Sequence, residues 1–383
     1  MGVLNQQSTQ CNCSAPYNQG VRVAMDEQIF AIQQYGGISR LFFELAKQFT
    51  TSPRLGVELN PIDAPIVNRY VLENPQLAVA LEASSAKSNF AALARYFSRR
   101  TSVHNADIVH NTFYLPHGLA SAKGAKRVVT IHDMIPELLP KTRRRLDLLT
   151  MKRHYVRQAD HIICVSAATR GDLVRLYPEI TAPITVVHHG VDPVFAPRVP
   201  RWRDLPDKYI LFVGNRGQYK DAEVLLRAFA QFRQQYPDVT LLFVGGGLFT
   251  SKENRLIASL GISGQTVQRA LPDKEMSSAY GNAFFTVFPS RSEGFGLPAL
   301  ESMACGTATL LADATSLPEV GGDAALYFST GDARELEERM LELAGNTPLR
   351  EERGRAGILQ ASKFSWERCA QETANVYVAT LSQ

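Results

Sequence analysis

An unbroken apolar, β-prone run, Phe284-Phe285-Thr286-Val287-Phe288, leads almost directly into Ser290-Arg291-Ser292-Glu293-Gly294-Phe295-Gly296-Leu297-Pro298-Ala299-Leu300-Glu301. No other stretch constrains the fold as tightly. A run without polar alternation is a strand covered on both faces, as in a parallel sheet. Pro298 suits the first turn of a helix and Gly306 its end, so the stretch reads as strand, glycine loop, helix. In that arrangement free N–H groups and the positive helix end face outward at the C-terminal edge of the strand, where an anion docks. Glu293 falls on the loop, and Glu301 within about the first turn of the helix. Two carboxylates repel a bare phosphate. They suit a ligand that also carries hydroxyls, because a carboxylate is a strong acceptor. A nucleotide sugar meets both demands, with hydroxyls at each end and a diphosphate between.

The same alternation runs through the rest of the chain. Val21 to Met25 is a first strand, followed by Gly36-Gly37 and a helix whose Ile38, Leu41, Phe42, Leu45, Ala46 and Phe49 share one face. Further strands are expected at Asp107 to His110, Arg127 to Ile131, Ile162 to Val165 and Ile184 to Val187, with Ser166 capping the next helix. His188 to Asp207 is rich in Pro, Gly and Arg and reads as a linker. A second series begins at Tyr209 to Gly214 and continues through Thr240 to Val244, the Phe284 strand and Ala308 to Leu311. The expectation is therefore an α/β protein with two doubly wound parallel sheets facing a cleft, ligands binding at the C-terminal strand edges. Residues 1–20 read as a disordered tail, 21–195 as a first domain and 205–363 as a second. Residues 364–383 form a last helix, capped by Ser365, that packs back towards the first domain.

At 383 residues the chain has room for two ordinary cores. No stretch of about 18 apolar residues occurs, so a spanning helix is not expected, and the polar start is unlike a secretory signal. Five scattered cysteines, Cys11, Cys13, Cys164, Cys305 and Cys369, fit a reducing cytoplasm. Charge is uneven: residues 1–200 carry 22 Lys and Arg against 15 Asp and Glu, and the remainder 19 against 22. The basic groups cluster at Arg99-Arg100, Lys123 to Arg127, Lys141 to Arg145 and Lys152-Arg153. A solvated surface is one reading; attraction to the inner face of an anionic membrane or to a phosphorylated acceptor is the other. No aromatic-rich basic module accompanies them, which argues against nucleic acid.

Three further places carry chemistry. Gly214-Asn215-Arg216-Gly217-Gln218-Tyr219-Lys220 follows the first strand of the second series and presents two cations suited to a diphosphate. Its spacing is not that of a Walker loop. His132-Asp133 ends the strand Val128 to Ile131, where the imidazole can meet a sugar hydroxyl, polarise a backbone carbonyl, or bond structurally to a neighbouring loop. Gly36-Gly37 permits close backbone approach to phosphate or simply makes a tight turn. Gly245-Gly246-Gly247, with no charged companion in sequence, reads as a turn or rim. His110, His117, His188 and His189 have weaker claims. No His, Asp and Glu set has metal-ligand spacing, and no nucleophile elbow occurs.

From residue 21 to 380 the chain resembles the family-four retaining glycosyltransferases of the GT-B fold. The resemblance rests on Ser292 to Gly306, supported by Gly36-Gly37, Ile131-His132-Asp133, Val165-Ser166, His189-Gly190-Val191-Asp192, the Arg216 to Lys220 loop and Phe364-Ser365-Trp366. It implies hexose transfer from a nucleotide sugar with retention, without metal or other cofactor. It implies that Lys220 and Arg216 neutralise the diphosphate and that Glu301 holds the ribose hydroxyls. Glu293 binds donor-sugar hydroxyls, with the amides of Gly294, Phe295 and Gly296 and the adjacent Leu297 close by. His132 lies near the reacting centre, Gly36 and Gly37 meet the distal phosphate, and the loop at Leu271 contacts the base. The chain departs from the family at Tyr219, where many members carry Arg or Glu, and in the closer spacing of Arg216 to Lys220. Tyr35 to Arg40 with His132 to Ile135 is similar to bacterial mannosyltransferases of surface-polysaccharide assembly. That likeness implies GDP-mannose as donor, UDP- and dTDP-sugars being alternatives, and a glycan or lipid-linked acceptor. The other readings are a sugar-nucleotide-binding subunit without turnover and a GT-B phosphorylase.

Overall fold

Valine, isoleucine, leucine and phenylalanine runs form two separate six-stranded sheets in the computed structural model, which describes residues 20–62, 65–88, 105–116, 124–139 and 146–383. Cys11, Cys13, His117, Arg99-Arg100, Lys123 and Lys141 to Arg145 lie outside the described residues. The first sheet uses β1 (Val21–Met25), β2 (Val57–Leu59), β5 (Ile108–Asn111), β6 (Lys126–Ile131), β7 (His161–Cys164) and β8 (Ile184–Val186); β3 (Pro65–Ile66) and β4 (Ser84–Ser85) form a separate short pair. Its order is β2-β1-β5-β6-β7-β8, every pairing parallel. The second sheet uses β9 (Tyr209–Val213), β10 (Thr240–Val244), β11 (Thr266–Arg269), β12 (Phe285–Phe288), β13 (Thr309–Ala312) and β14 (Leu326–Phe328). Its order is β11-β10-β9-β12-β13-β14, again all parallel. Each order reverses once, between β1 and β5 and between β9 and β12. These reversals leave a crevice at the C-terminal edge, because neighbouring crossovers depart to opposite faces.

β2, β11 and β14 escaped the sequence reading. They are three- or four-residue strands, all three at sheet edges, and polar residues such as Glu58, Gln268 and Arg269 interrupt the apolar pattern. The helix Gly37–Thr51 buries Leu41, Phe42, Leu45, Ala46 and Phe49 against the first sheet. It also buries Glu44, held between Arg40 and Lys47. The helix Trp366–Leu381, capped by the Ser365 side chain on the Arg368 amide, places Trp366, Cys369, Ala370, Ala374, Val376 and Tyr377 in that same core.

The two chain crossings between the sheets touch. The Val191 N–H donates to the Phe364 carbonyl at 3.3 Å and Val191 bridges Ser365. A Cβ on Gly190 would stand 2.0 Å from the Trp366 nitrogen, so only glycine lets the strands of the crossing meet. Gly190→Ala should lower stability by on the order of 3 kcal/mol, the upper end for overpacking, because the obstruction is backbone and cannot rotate away. The midpoint of urea unfolding checks this; an unchanged midpoint refutes it.

Candidate functional site

Lys220 and Glu293 enter from opposite sides of the reversal in the second sheet. Lys220 ends a short 3₁₀ turn, Gln218–Lys220, and Asp221 at φ 49° redirects the chain into the helix Ala222–Phe232. Glu293 stands on the loop after β12. Their Nζ and Oε1 atoms are 2.6 Å apart, with side chains only 13% and 12% exposed. Burial favours the neutral amine, but Glu293 outweighs it and raises the Lys220 pKa, so the ammonium stays charged.

The loop carrying Glu293 is held at almost every residue. The Glu293 N–H donates to Thr315 Oγ1 at 2.9 Å, and Ser316 Oγ donates to the carbonyls of Glu293 (3.1 Å) and Phe295 (2.8 Å). Gly296, at φ 113°, opens the helix Leu297–Ala304, and Gly306 at φ 76° closes it. Pro298 takes the second helical position, as its missing N–H allows. Glu301 sits in the second turn, where one carboxylate oxygen accepts from Tyr280 OH at 2.8 Å. Leu271 follows β11 and rests partly buried against the second core.

The first domain closes over this loop. The Gly294 carbonyl accepts from Ser166 Oγ at 2.7 Å and Thr169 Oγ1 at 3.1 Å. A Cβ on Gly294 would lie 1.8 Å from the His132 carbonyl oxygen, and one on Gly37 would lie 3.4 Å from Leu297. Gly36 takes φ 154° and its carbonyl receives the Arg40 N–H. The structure thus brings Lys220, Glu293, Gly294, His132, Gly37 and Leu297 to one seam between the sheets. Phe295 is buried beside His189, with ring centroids 4.8 Å apart.

His132 is fixed as a neutral ring. Its Nε2–H donates to the Thr112 carbonyl at 3.1 Å, which leaves Nδ1 as an acceptor, buried and without a hydrogen-bond partner in the structure. Burial pulls its pKa down to about 4, against the pull of the Thr112 carbonyl. Thr112 is itself anchored by the Asp26 carboxylate through its N–H at 3.0 Å. Lys152 supports the next residue, donating to the Asp133 carbonyl at 2.9 Å and pairing with Glu137 at 3.0 Å. Its place in a basic surface cluster is therefore corrected: Lys152 is buried, because Glu137 and the Asp133 carbonyl satisfy it inside. His110 is structural, bonded to Thr130 and Tyr377 at 2.7 Å each.

Arg216 is held by a neighbouring loop. Its guanidinium pairs with Glu253 at 2.7 Å and donates to the carbonyls of Gly245 (3.0 Å), Gly247 (2.9 Å) and Leu248 (2.9 Å), leaving the side chain 4% exposed. Gly245, Gly246 and Gly247 all take positive φ, which turns successive carbonyls towards the one cation. The triple glycine is thus the mould for Arg216, whose guanidinium faces that loop. The residues that sequence reasoning passed over are Thr169, Thr315, Ser316 and Glu319, and Ser166, read there as a helix cap, also bonds the Gly294 carbonyl; each is an ordinary polar residue whose partner lies in another loop. Among the described residues, no group of three or more His, Cys, Asp or Glu is placed to hold a metal ion, and no helix is long and apolar enough to cross a membrane.

Comparison with known proteins finds the family described as Glycosyl transferases group 1 over residues 201–360 and Glycosyltransferase Family 4 over residues 35–195. The O-antigen chain mannosyltransferase B of Escherichia coli is 30% identical over 286 residues, 69% of this chain and 72% of that protein. The MMP alpha-(1->4)-mannosyltransferase of Mycolicibacterium hassiacum is 29% identical over 299 residues, covering 72% and 71%. Among solved structures, Anabaena HepE in complex with UDP and glucose superposes with a TM-score of 0.73 at 18% identity, over 94% of this chain and 100% of that one.

Proposed function

Because this chain belongs to the family-four glycosyltransferases of the GT-B fold, we propose that it moves mannose from GDP-mannose to a glycan or lipid-linked acceptor in polysaccharide assembly, with retention and without metal. The observation that carries the reading is the Lys220–Glu293 pair at the reversal of the second sheet, facing His132 and Gly37 across the seam. Mannosyltransferases among the relatives support the choice of sugar.

In this reading the donor diphosphate lies against Lys220 and the start of the helix Leu297–Ala304, where a cation and helix amides stabilise the charge that develops as the glycosyl–phosphate bond breaks. Glu293 keeps one oxygen on Lys220 and offers the other to the sugar hydroxyls. Glu301, oriented by Tyr280, takes the ribose hydroxyls, and the backbone around Leu271 takes the base. Gly37 brings its backbone to the distal phosphate. His132 accepts a hydroxyl through Nδ1, the only ring atom that the Thr112 carbonyl leaves available. Arg216 contributes by shaping the 245–248 loop. The acceptor attacks from the face the phosphate leaves, which deprotonates it, and Glu293 serves as a binder. The cytoplasmic face of the membrane is the proposed place of action, where the basic first half meets a lipid-linked acceptor.

A thermal-shift panel tests the donor. A ligand spanning the cleft stabilises by mass action, by about 2.7 kcal/mol at a hundredfold excess over its dissociation constant. GDP-mannose should raise the melting temperature most, above UDP-glucose, dTDP-sugars and GDP alone, and transfer should persist in EDTA. A larger shift with a UDP- or dTDP-sugar overturns the donor; binding with no turnover on any glycan acceptor overturns the transferase reading.

A further inference from the structure

Glu319 lies outside the donor-contacting set, yet its carboxylate bonds three residues across the two domains. It belongs to the short helix Leu317–Gly321 of the second domain. Its carboxylate accepts from the Ala167 N–H at 2.8 and 2.9 Å, from the Ala168 N–H at 3.3 Å, and pairs with His188 Nε2 at 2.5 Å. Ala167 and Ala168 open the ten-residue helix Ala167–Leu176 of the first domain, whose N-cap is Ser166. An anion at that end is favoured by the unsatisfied N–H groups and the helix dipole. Burial favours the neutral acid, but the hydrogen bonds from His188 and the two amides outweigh it and lower the Glu319 pKa, so the group is a carboxylate.

The same few residues grip the donor loop. Immediately before that helix, Thr315 and Ser316 bond the Glu293 amide and the Glu293 and Phe295 carbonyls. Thr315 takes φ 47°, a conformation that threonine adopts only under constraint. Ser166, next to the amides that Glu319 receives, donates to the Gly294 carbonyl. One rigid segment, 315–319, therefore ties the helix Ala167–Leu176 to the loop 293–295, and this loop abuts the His132 carbonyl. We propose that Glu319 is a positioning residue for transfer: by holding the Ala167–Leu176 helix end and His188, it sets Glu293 and Gly294 against His132 when the domains close. Glu301, Lys220 and the Leu271 loop belong to the second domain, and of the nucleotide contacts proposed above only the backbone at Gly36-Gly37 lies in the first, so most of nucleotide binding does not need the contact.

The kinetic part rests on the transferase reading above; the distance part does not. Spin labels at Val174→Cys and Leu359→Cys, exposed at 48% and 70% on opposite domains, report closure in the full chain with Cys11 and Cys13 replaced by serine. Without substrate, the parent should give one short, narrow distance, and Glu319→Ala should add a longer, broader population. An unchanged distribution in Glu319→Ala overturns the proposal, whatever the donor. With GDP-mannose as donor, Glu319→Ala should lose about 10²-fold in kcat, the scale of an ångström of misplacement. GDP affinity by calorimetry should change less than about twofold, and Glu319→Gln, retaining one acceptor oxygen, should fall between. Loss of GDP affinity and melting temperature together with kcat would mark a merely structural role and overturn it. If the parent transfers no mannose, the donor reading fails, and the distance measurement still decides on Glu319.

Discussion

Lys220→Ala is expected to reduce kcat for transfer by about 10²–10³-fold, the range seen when one donor aimed at developing charge is removed from a preorganised site. The physical reason is that Lys220 is a charged group held at the edge of the second sheet before the reaction begins. Its Nζ is 2.6 Å from Glu293 Oε1, and that carboxylate raises its pKa against the effect of burial. No reorganisation is then needed when the diphosphate leaves. The same substitution strands Glu293, only 12% exposed, without its cation, at a cost of about 1–3 kcal/mol. Rate and stability can be separated: Lys220→Ala combined with Glu293→Gln should recover most of the melting temperature and none of the rate. A near-parental kcat in the single variant would remove Lys220 from the mechanism.

Gly294→Ala should have a comparable effect through space alone. Gly294 does not take positive φ, so its backbone accepts alanine, but the added Cβ would stand 1.8 Å from the His132 carbonyl oxygen and 3.2 Å from Asp133 Cβ. The Cβ meets a backbone carbonyl there, and no rotamer relieves it. The two domains must part, taking with them the bonds from Ser166 and Thr169 to the Gly294 carbonyl. Each domain keeps its own core, so the circular dichroism spectrum and the binding of GDP should be retained. Transfer should fall by about 10²-fold or more, because the reacting groups come from both sides of the seam. A parental rate would show that the contact with His132 is not needed for turnover.

Much of this arrangement is legible from the chain. The apolar run before Glu293, the helix-starting Pro298 and the helix-ending Gly306 mark the central strand–loop–helix, and it forms within two residues of those boundaries. The alternation of strand and helix carries the parallel topology, and topology alone puts the loops after β9 and β12 at the point of reversal. Edge strands such as β2 and β11 are less legible, since one side of each lacks a neighbouring strand and a full apolar pattern is not required. The partners of Arg216 are illegible for a related reason. Beside Lys220 in sequence it looks like a second phosphate cation, whereas in space Gly245 to Leu248 and Glu253 surround it.

Local order in this chain is written within a few residues: a run of apolar side chains, a glycine that permits a turn, a hydroxyl that caps a helix. Such signals act over one or two turns, so the sequence suffices to place the central strands and the loops and helices that follow them. Pairing of charges is another matter. Lys220 and Glu293 are 73 residues apart, His188 and Glu319 are 131 apart, and Ser166 and Gly294 are 128 apart. Whether a buried cation meets a carboxylate, a carbonyl or a phosphate depends on which loops the packing brings together. Only the tertiary structure decides that, because the desolvation of each charge must be compensated by the partner that lies beside it in space.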